Sequence, residues 1–562
     1  MTGRVAENGR EKRSYVLLLA LFLLPVIGLA RSRKLPDREV VLGEPYAEWS
    51  IEYPGASGNP FDVEATALFT HRDSGATRRS LMFYAGDDTW KFRFTGVRTG
   101  TWSIKTQGPG DLGGWTGKVY VRPADEPRPG FMVGRGRAWV WAGTGRAFVP
   151  QFVMMNRPSS FLKNGQVDTA KIDRTVREFA VETGFTGFHF EGGGGKWFQP
   201  EVSKTKPSFK NPSPPTFEVL EAFIIRAYRA GAATHFWLYD SDGYGGRGGP
   251  KNLGGYRSDP AKRVLRQIAG RLGPIPGWSI GYGFDLHKWA DAEELEWYRK
   301  FLSKRLGGWE HLIGARSDDQ DHFPSHDKIR RQPMSKVYWT GDYAGHYDKR
   351  VPYRHYVRTY EAFDKPAFQE DRFRIRVKGQ FESKDYTPDM TVRGLWHSTM
   401  AGGVANIWGN LLPHSDNDRG SQPYDNGAEG RIRGVRVRVN IKDAVKTYHR
   451  FWFEEGRFSA DLIRANALTG NKPGAELLSH RNPTPISVAL RGPKFRRFVF
   501  YAEDTDKVKM DLNDAKSRLP AVAIDTRRPY KEIDLDNLRP EKQTWKAPRR
   551  SDWAIAVGVF EE

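Results

Sequence analysis

The chain has 562 residues, no cysteine, and 88 Lys and Arg against 67 Asp and Glu, a formal net charge of +21. That length exceeds what one hydrophobic core usually supports, so two or three domains are expected. Lack of cysteine excludes a disulfide framework and a cysteine-linked lipid anchor, and basic charge without a recognisable nucleic-acid-binding module argues against nucleic acid as a partner.

A basic stretch from Arg10 to Arg13, an apolar run from Tyr15 to Leu24, and Gly28-Leu29-Ala30 with small residues where a signal peptidase reads predict a signal peptide over residues 1–30. The run is shorter than the roughly 20 apolar residues of a membrane span. The mature protein is therefore expected to be secreted, periplasmic or at the cell surface, with no stable membrane insertion after cleavage. Without residues 1–30, 84 basic and 65 acidic side chains remain, net +19, a field suited to a polyanionic polysaccharide.

Residues 39–125 alternate apolar and polar positions in short runs, among them Ser80-Leu-Met-Phe-Tyr84, Trp90-Lys-Phe-Arg-Phe94 and Gly117-Lys-Val-Tyr-Val121, with Gly, Asp and Pro turns between them. This predicts an all-β sandwich. From residue 148 to 465 strand and helix patterns alternate. Expected strands are 148–155, 187–190, 233–239, 278–283, 311–315, 337–340, 367–369 and 404–408, with helices between them such as 170–183, 216–230, 260–271, 292–306, 353–363 and 391–401. A last helix, 441–453, closes the set. Eight such units over about 280 residues match the size of a (β/α)8 TIM barrel. Residues 484–562 return to strand patterns, a second sandwich. The predicted fold class is thus α/β, a TIM barrel flanked by N-terminal and C-terminal all-β sandwich domains.

Two carboxylates about 85 residues apart each close an apolar run: Asp285 ends Gly277-Trp-Ser-Ile-Gly-Tyr-Gly-Phe-Asp285 and Glu370 ends Lys365-Pro-Ala-Phe-Gln-Glu370. In a barrel both stand at the C-terminal rim, where such folds do their chemistry. Facing carboxyls in unequal environments are what glycosidic bond cleavage requires. Phe284, Leu286 and Trp289 around Asp285 would favour its protonated form, and Arg372 and Arg374 near Glu370 its ionised form. Other rim candidates, all read as substrate-binding, are Asn156, His189, Glu191, Trp237, Tyr239, Tyr282, Arg316, Trp339, Tyr343, His346 and Trp408. Of these, Trp408 and Tyr343 are the preferred aromatic platforms, because flat rings suit sugar C–H faces. The loop Glu191-Gly-Gly-Gly-Gly-Lys is not a phosphate loop, since it lacks the Gly-Lys-Ser/Thr ending. Acidic loops at Asp318–Asp321 and Asp416–Asp418 lack the spacing of a calcium loop, so no metal and no cofactor is expected. A basic run, Arg431, Arg433, Arg436 and Arg438, follows strand eight and could meet an anionic substrate.

The N-terminal phrases Asn59-Pro-Phe-Asp-Val63, Phe83-Tyr-Ala-Gly-Asp-Asp-Thr-Trp-Lys-Phe-Arg-Phe94 and Gly114-Trp-Thr-Gly-Lys-Val-Tyr-Val121 resemble the small β-sandwich of unknown function that precedes glycoside-hydrolase-like barrels in secreted bacterial proteins. The barrel resembles clan A glycoside hydrolases, the apiosidase-like ones in particular. Trp545-Lys-Ala-Pro-Arg-Arg-Ser-Asp-Trp553 resembles the sandwich that follows such barrels. The resemblance implies an acid/base at the end of strand four and a nucleophilic Glu at the end of strand seven, the places of Asp285 and Glu370. It also carries a departure, since Phe284-Asp285 stands where the clan has Asn-Glu. The function so implied is a secreted glycoside hydrolase acting on a polysaccharide by a two-carboxylate retaining mechanism. The competing expectation is an inactive carbohydrate-binding or adhesion protein built on the same barrel.

Overall fold

The computed structural model describes residues 33–155, 158–190, 197–200, 207–239, 249–283, 286, 289–318, 343–347, 353–362, 364–374, 388–409, 429–432, 435–438, 441–470 and 485–560. The expected signal peptide lies outside them. Among the described residues no helix is long and apolar enough to cross a membrane.

The N-terminal domain packs two sheets face to face. One has six strands, the other pairs Ala47–Glu52, Thr89–Phe94 and Phe83–Gly86. Strand Gly100–Gln107 shows why they pack: Trp102, Ile104 and Thr106 are buried while Ser103, Lys105 and Gln107 are exposed, so one face must be covered. Aromatic rings fill the space between, Trp49 stacked on Phe92 at 5.4 Å and Phe69 on Phe94 at 4.5 Å. Each such ring contributes about 1.5–3 kcal/mol through burial.

The barrel strands are β1 (Gln151–Met155), β2 (Gly187–Phe190), β3 (Ala233–Tyr239), β4 (Trp278–Gly283), β5 (Leu312–Asp318), β6 (Tyr343–Tyr347), β7 (Ala367–Arg374) and β8 (Ala405–Gly409). Each pairs in parallel with the next, and β8 returns to β1 through Phe152 opposite Ile407, closing the ring. The described helices between them are α1 (Thr169–Val176), α2 (Pro214–Arg229), α3 (Asp259–Gln267), α4 (Ala292–Leu306), α5 (Tyr353–Glu361), α6 (Pro388–Met400) and α7 (Lys442–His449). Three of them, α1, α3 and α7, widen into π-type turns at their C-terminal ends. Helix α4 is capped by Asp291, whose carboxylate accepts from the Glu294 N–H, and ends at Gly307 with φ of 63°. A Cβ there would lie 2.0 Å from the Arg79 carbonyl oxygen, so only glycine lets the helix end abut the N-terminal sandwich.

A three-stranded plug, Met132–Arg135, Ala138–Trp141 and Ala147–Phe148, covers the N-terminal mouth. Its Met132, Trp139, Trp141 and Phe148 form one buried cluster with Phe152, Ala233, Leu312, Phe368 and Ala405 near the starts of barrel strands. The Trp139 indole N–H donates to the Ala367 carbonyl at 3.1 Å. The expected boundaries, 125 and 148, passed over this plug.

Three expectations of register need correction. The described strand six is Tyr343–Tyr347; Val337–Thr340, expected to be that strand, lies outside the described residues. Tyr343 and His346, expected after strand six, are inside it. Arg316, expected after strand five, is inside β5. The C-terminal sheet recruits Ile463–Arg464 as its first strand, ahead of the expected start at 484, and continues through Ser487–Arg491, β9 (Arg497–Asp511), β10 (Lys542–Gly558), Leu519–Asp525 and Ile533–Leu538.

Candidate functional site

The plug covers the N-terminal mouth, which leaves the C-terminal rim, where barrels of this kind do their chemistry, as the candidate site. The most irregular pairing in the barrel lies there. Gln369 of β7 pairs with Asn406 of β8, yet the next pair is Arg372 with Ile407. Two residues, Glu370 and Asp371, are therefore extra in β7. Bulges of this kind locally break the ladder and re-aim side chains, and they concentrate at barrel rims and active sites. The alternation leading into it is clear. Phe368 packs against His235 at 4.8 Å in the barrel interior, and the Gln369 amide donates to the Thr359 hydroxyl of α5 at 2.7 Å on the outer face.

Inside the ring, beneath the mouth, two imidazoles meet. His189 Nδ1 and His235 Nδ1 are 2.7 Å apart, with the rings nearly parallel at 4.9 Å. Burial pushes the His235 imidazole down to about 3, so His235 is neutral and the contact is a hydrogen bond between the two rings. Trp237 stands edge-on to His189 at 4.4 Å, opposite Gly281, which itself pairs with Gly314. Large side chain against small is what lets the layer interdigitate. Trp237 and His189 are 1% and 0% exposed; they are packed inside the ring. His235 belongs with them, and sequence reasoning missed it. Its position two residues from both Ala233 and Trp237, on one face of β3, was the available signal.

Three expected substrate contacts are buried against the helix layer or against one another. Trp408 is fully buried on the helix side of β8: its indole N–H donates to Gln151 Oε1 at 2.7 Å, and its ring lies over Gly394 of α6, where a Cβ would approach to 2.6 Å. Tyr282 likewise faces the helices. Its hydroxyl donates to Glu294 of α4, its ring stacks on Trp289 at 5.5 Å, and burial, reinforced by the Glu294 charge, pushes its phenol well above the ordinary range. Tyr239 is buried edge-on to Tyr282 at 5.3 Å, and burial raises its phenol as well. None of the three offers a ring face to a sugar.

Asp285, Asn156, Glu191 and Trp339 lie outside the described residues, and the backbone alone places Arg316, Tyr343, His346 and Glu370 in their strands. The basic run after β8 forms a hairpin, Glu429–Ile432 with Val435–Arg438, that sets Arg431 opposite Arg436. Among the described residues no group of three or more His, Asp or Glu could hold a metal ion.

A structure from Bacteroides vulgatus described as a glycoside hydrolase superposes with a TM-score of 0.64 over 93% of this chain and 100% of its own, at 15% identity. The fold is that of glycoside hydrolases. A family 5 glycoside hydrolase from the same organism superposes with a TM-score of 0.53 over 77% of this chain and 95% of its own, at 10% identity. Residues 45–108 match a domain of unknown function, DUF5060, which places that domain within the N-terminal sandwich. No curated protein sequence matches the chain.

Proposed function

We propose that this chain is a secreted glycoside hydrolase that cleaves a polysaccharide, an anionic one by the sign of its charge, through a retaining two-carboxylate mechanism. The observation that carries the reading is the β7 bulge at Glu370 and Asp371, in a barrel whose N-terminal mouth is plugged. In this reading the ionised Glu370 attacks the anomeric carbon while Asp285 gives its proton to the departing glycosidic oxygen. A water then adds to the glycosyl carbon, losing a proton to Asp285 and releasing Glu370. Retention requires the two carboxyls about 5–5.5 Å apart. In the sequence Asp285 stands among Phe284, Leu286 and Trp289, an apolar setting suited to a proton donor.

Around this pair the reading assigns Asn156, Glu191, Arg316, Trp339, Tyr343 and His346 to the substrate, with His189 and Trp237 packed inside the ring. The apiosidase-like part of the proposal rests on the resemblance of the sequence phrases, and residues 1–30 are assigned to export. The test is incubation of the mature protein with a panel of neutral and acidic polysaccharides, followed by product analysis. New reducing ends on at least one polymer are expected. Tight retention of a polymer with no cleavage of any would establish the inactive, carbohydrate-binding reading that the Phe284-Asp285 departure raises.

A further inference from the structure

Strands β9 and β10, separated in the chain by Leu519–Asp525 and Ile533–Leu538, form a long antiparallel ribbon whose far half leaves the central sheet after register shifts between Ala502 and Lys507. Below that break Val508 and Met510 are buried in the C-terminal core. Their neighbours point outward: Lys507, Lys509, Lys542, Thr544 and Lys546 are all exposed. Register sets Lys507 directly opposite Lys546, Lys509 opposite Thr544 and Asp511 opposite Lys542. Four lysines thus share one face, Lys507 and Lys509 about 7 Å apart on β9 and Lys542 and Lys546 about 13 Å apart on β10 with Thr544 between them. Asp511 pairs with Lys542 at 3.4 Å; Lys507, Lys509 and Lys546 make no ion pair among the described residues. Asp506, the other acid nearby, lies in the irregular stretch and acts on Arg550.

Like charges directly opposite in a sheet destabilise it, a cost beyond the scattered charge that keeps sheet edges from pairing with other chains. A ladder that sets Lys507 against Lys546 is costly to the fold and gains when an anion lies across it. We propose that this face binds a chain of a sulfated or carboxylated polysaccharide, apart from the barrel cleft and whether or not the barrel cleaves it. Lysine suits such a partner: its ammonium is a mobile point charge that follows irregularly spaced anions, unlike the rigid fork of arginine. The face offers nothing for stacked bases or for a protein hot spot. Its one aromatic, Trp545, turns inward onto Trp553 at 5.0 Å, and single-strand binders need exposed rings, as protein interfaces need an apolar centre.

The full mature chain would be loaded on immobilised dextran sulfate and on alginate, with dextran as the neutral control. Wild type is expected to be retained by both anionic polymers and not by dextran. K507S/K509S/K546S should elute at lower salt, with the dependence of log Kd on log salt reduced by about three, one for each lost contact. A second triple, K34S/K105S/K118S, removes the same charge from exposed positions on the N-terminal sandwich and should elute with wild type. Circular dichroism would confirm that both variants fold. Equal weakening by the two triples would mean that net charge alone binds the polymer, and no weakening by the first would remove the ladder from the interaction; either result overturns the proposal. So would retention of single-stranded DNA or anionic vesicles at the same salt as the polysaccharides. Hydrolysis is read separately, so its absence leaves this test intact.

Discussion

Arg93 joins the N-terminal sandwich to the barrel, and its removal should loosen the whole assembly. The side chain is 3% exposed. Its guanidinium donates to Glu48 at 2.8 Å, to Glu221 of α2 at 2.8 Å and to the Arg271 carbonyl at 2.7 Å, and lies over the Tyr46 ring at 4.1 Å. Burial pushes the Glu221 carboxyl up, but Arg93 and Arg271, with a hydrogen bond from Tyr46, hold it below the ordinary carboxylate range. In Arg93→Met, Glu221 keeps only Arg271 and Tyr46. Removing one partner of a buried pair costs about 3–5 kcal/mol. Replacing both, Arg93→Met with Glu221→Met, leaves no buried carboxylate short of Arg93 but takes from Arg271 its 2.9 Å bond to Glu221, so the double variant should recover part of that loss and fall short of the sum of the singles. Urea unfolding followed by tryptophan fluorescence, with limited proteolysis of the 123–131 connection, reads the effect. A single variant within about 1 kcal/mol of wild type, or a double variant as unstable as the sum of the singles, would refute the account of this clamp.

Acid should destabilise the protein before its carboxylates titrate. Burial pushes His235 down to about 3 and His311 to about 4, below an unfolded value of about 6.5. Their neutral forms cost nothing above that value; below it the unfolded chain takes up protons the folded one refuses, so stability falls by about 3 kcal/mol per pH unit between roughly pH 5.5 and 4.5. A urea midpoint flat from pH 7 to 5 would contradict this. Gly394→Ala should lose about 1–3 kcal/mol by driving a methyl into the Trp408 ring, and Trp408→Phe should lower the melting temperature while leaving polysaccharide KM unchanged. A raised KM with unchanged stability would return Trp408 to the cleft.

Which parts of this were legible depends on what each residue's surroundings demand. Sandwich strands such as Gly100–Gln107 have one wet face, so alternation marks both the strand and its inner side. Barrel strands are buried on both faces, and their apolar runs locate the strand without telling inside from outside; Trp408 and Tyr282 were misplaced for that reason. Strand six reads Tyr-Ala-Gly-His-Tyr, too polar and too glycine-rich to stand out beside the apolar run before it. The plug was missed because Ala138–Trp141 is buried along its whole length by contact with another domain, a tertiary fact. Glu370 was singled out by its place after an apolar strand, but the bulge that distinguishes it exists only in the pairing with β8.

Reducing-end release by the wild type and by Glu370→Gln, on whichever polysaccharide the wild type cleaves, bears most directly on the central claim. The amide keeps the shape of the side chain and loses its nucleophilic charge, so the account predicts a folded variant whose kcat falls by at least about a thousandfold with substrate binding retained. A Glu370→Gln protein that cleaves at the wild-type rate would contradict it and move the chemistry away from the β7 bulge.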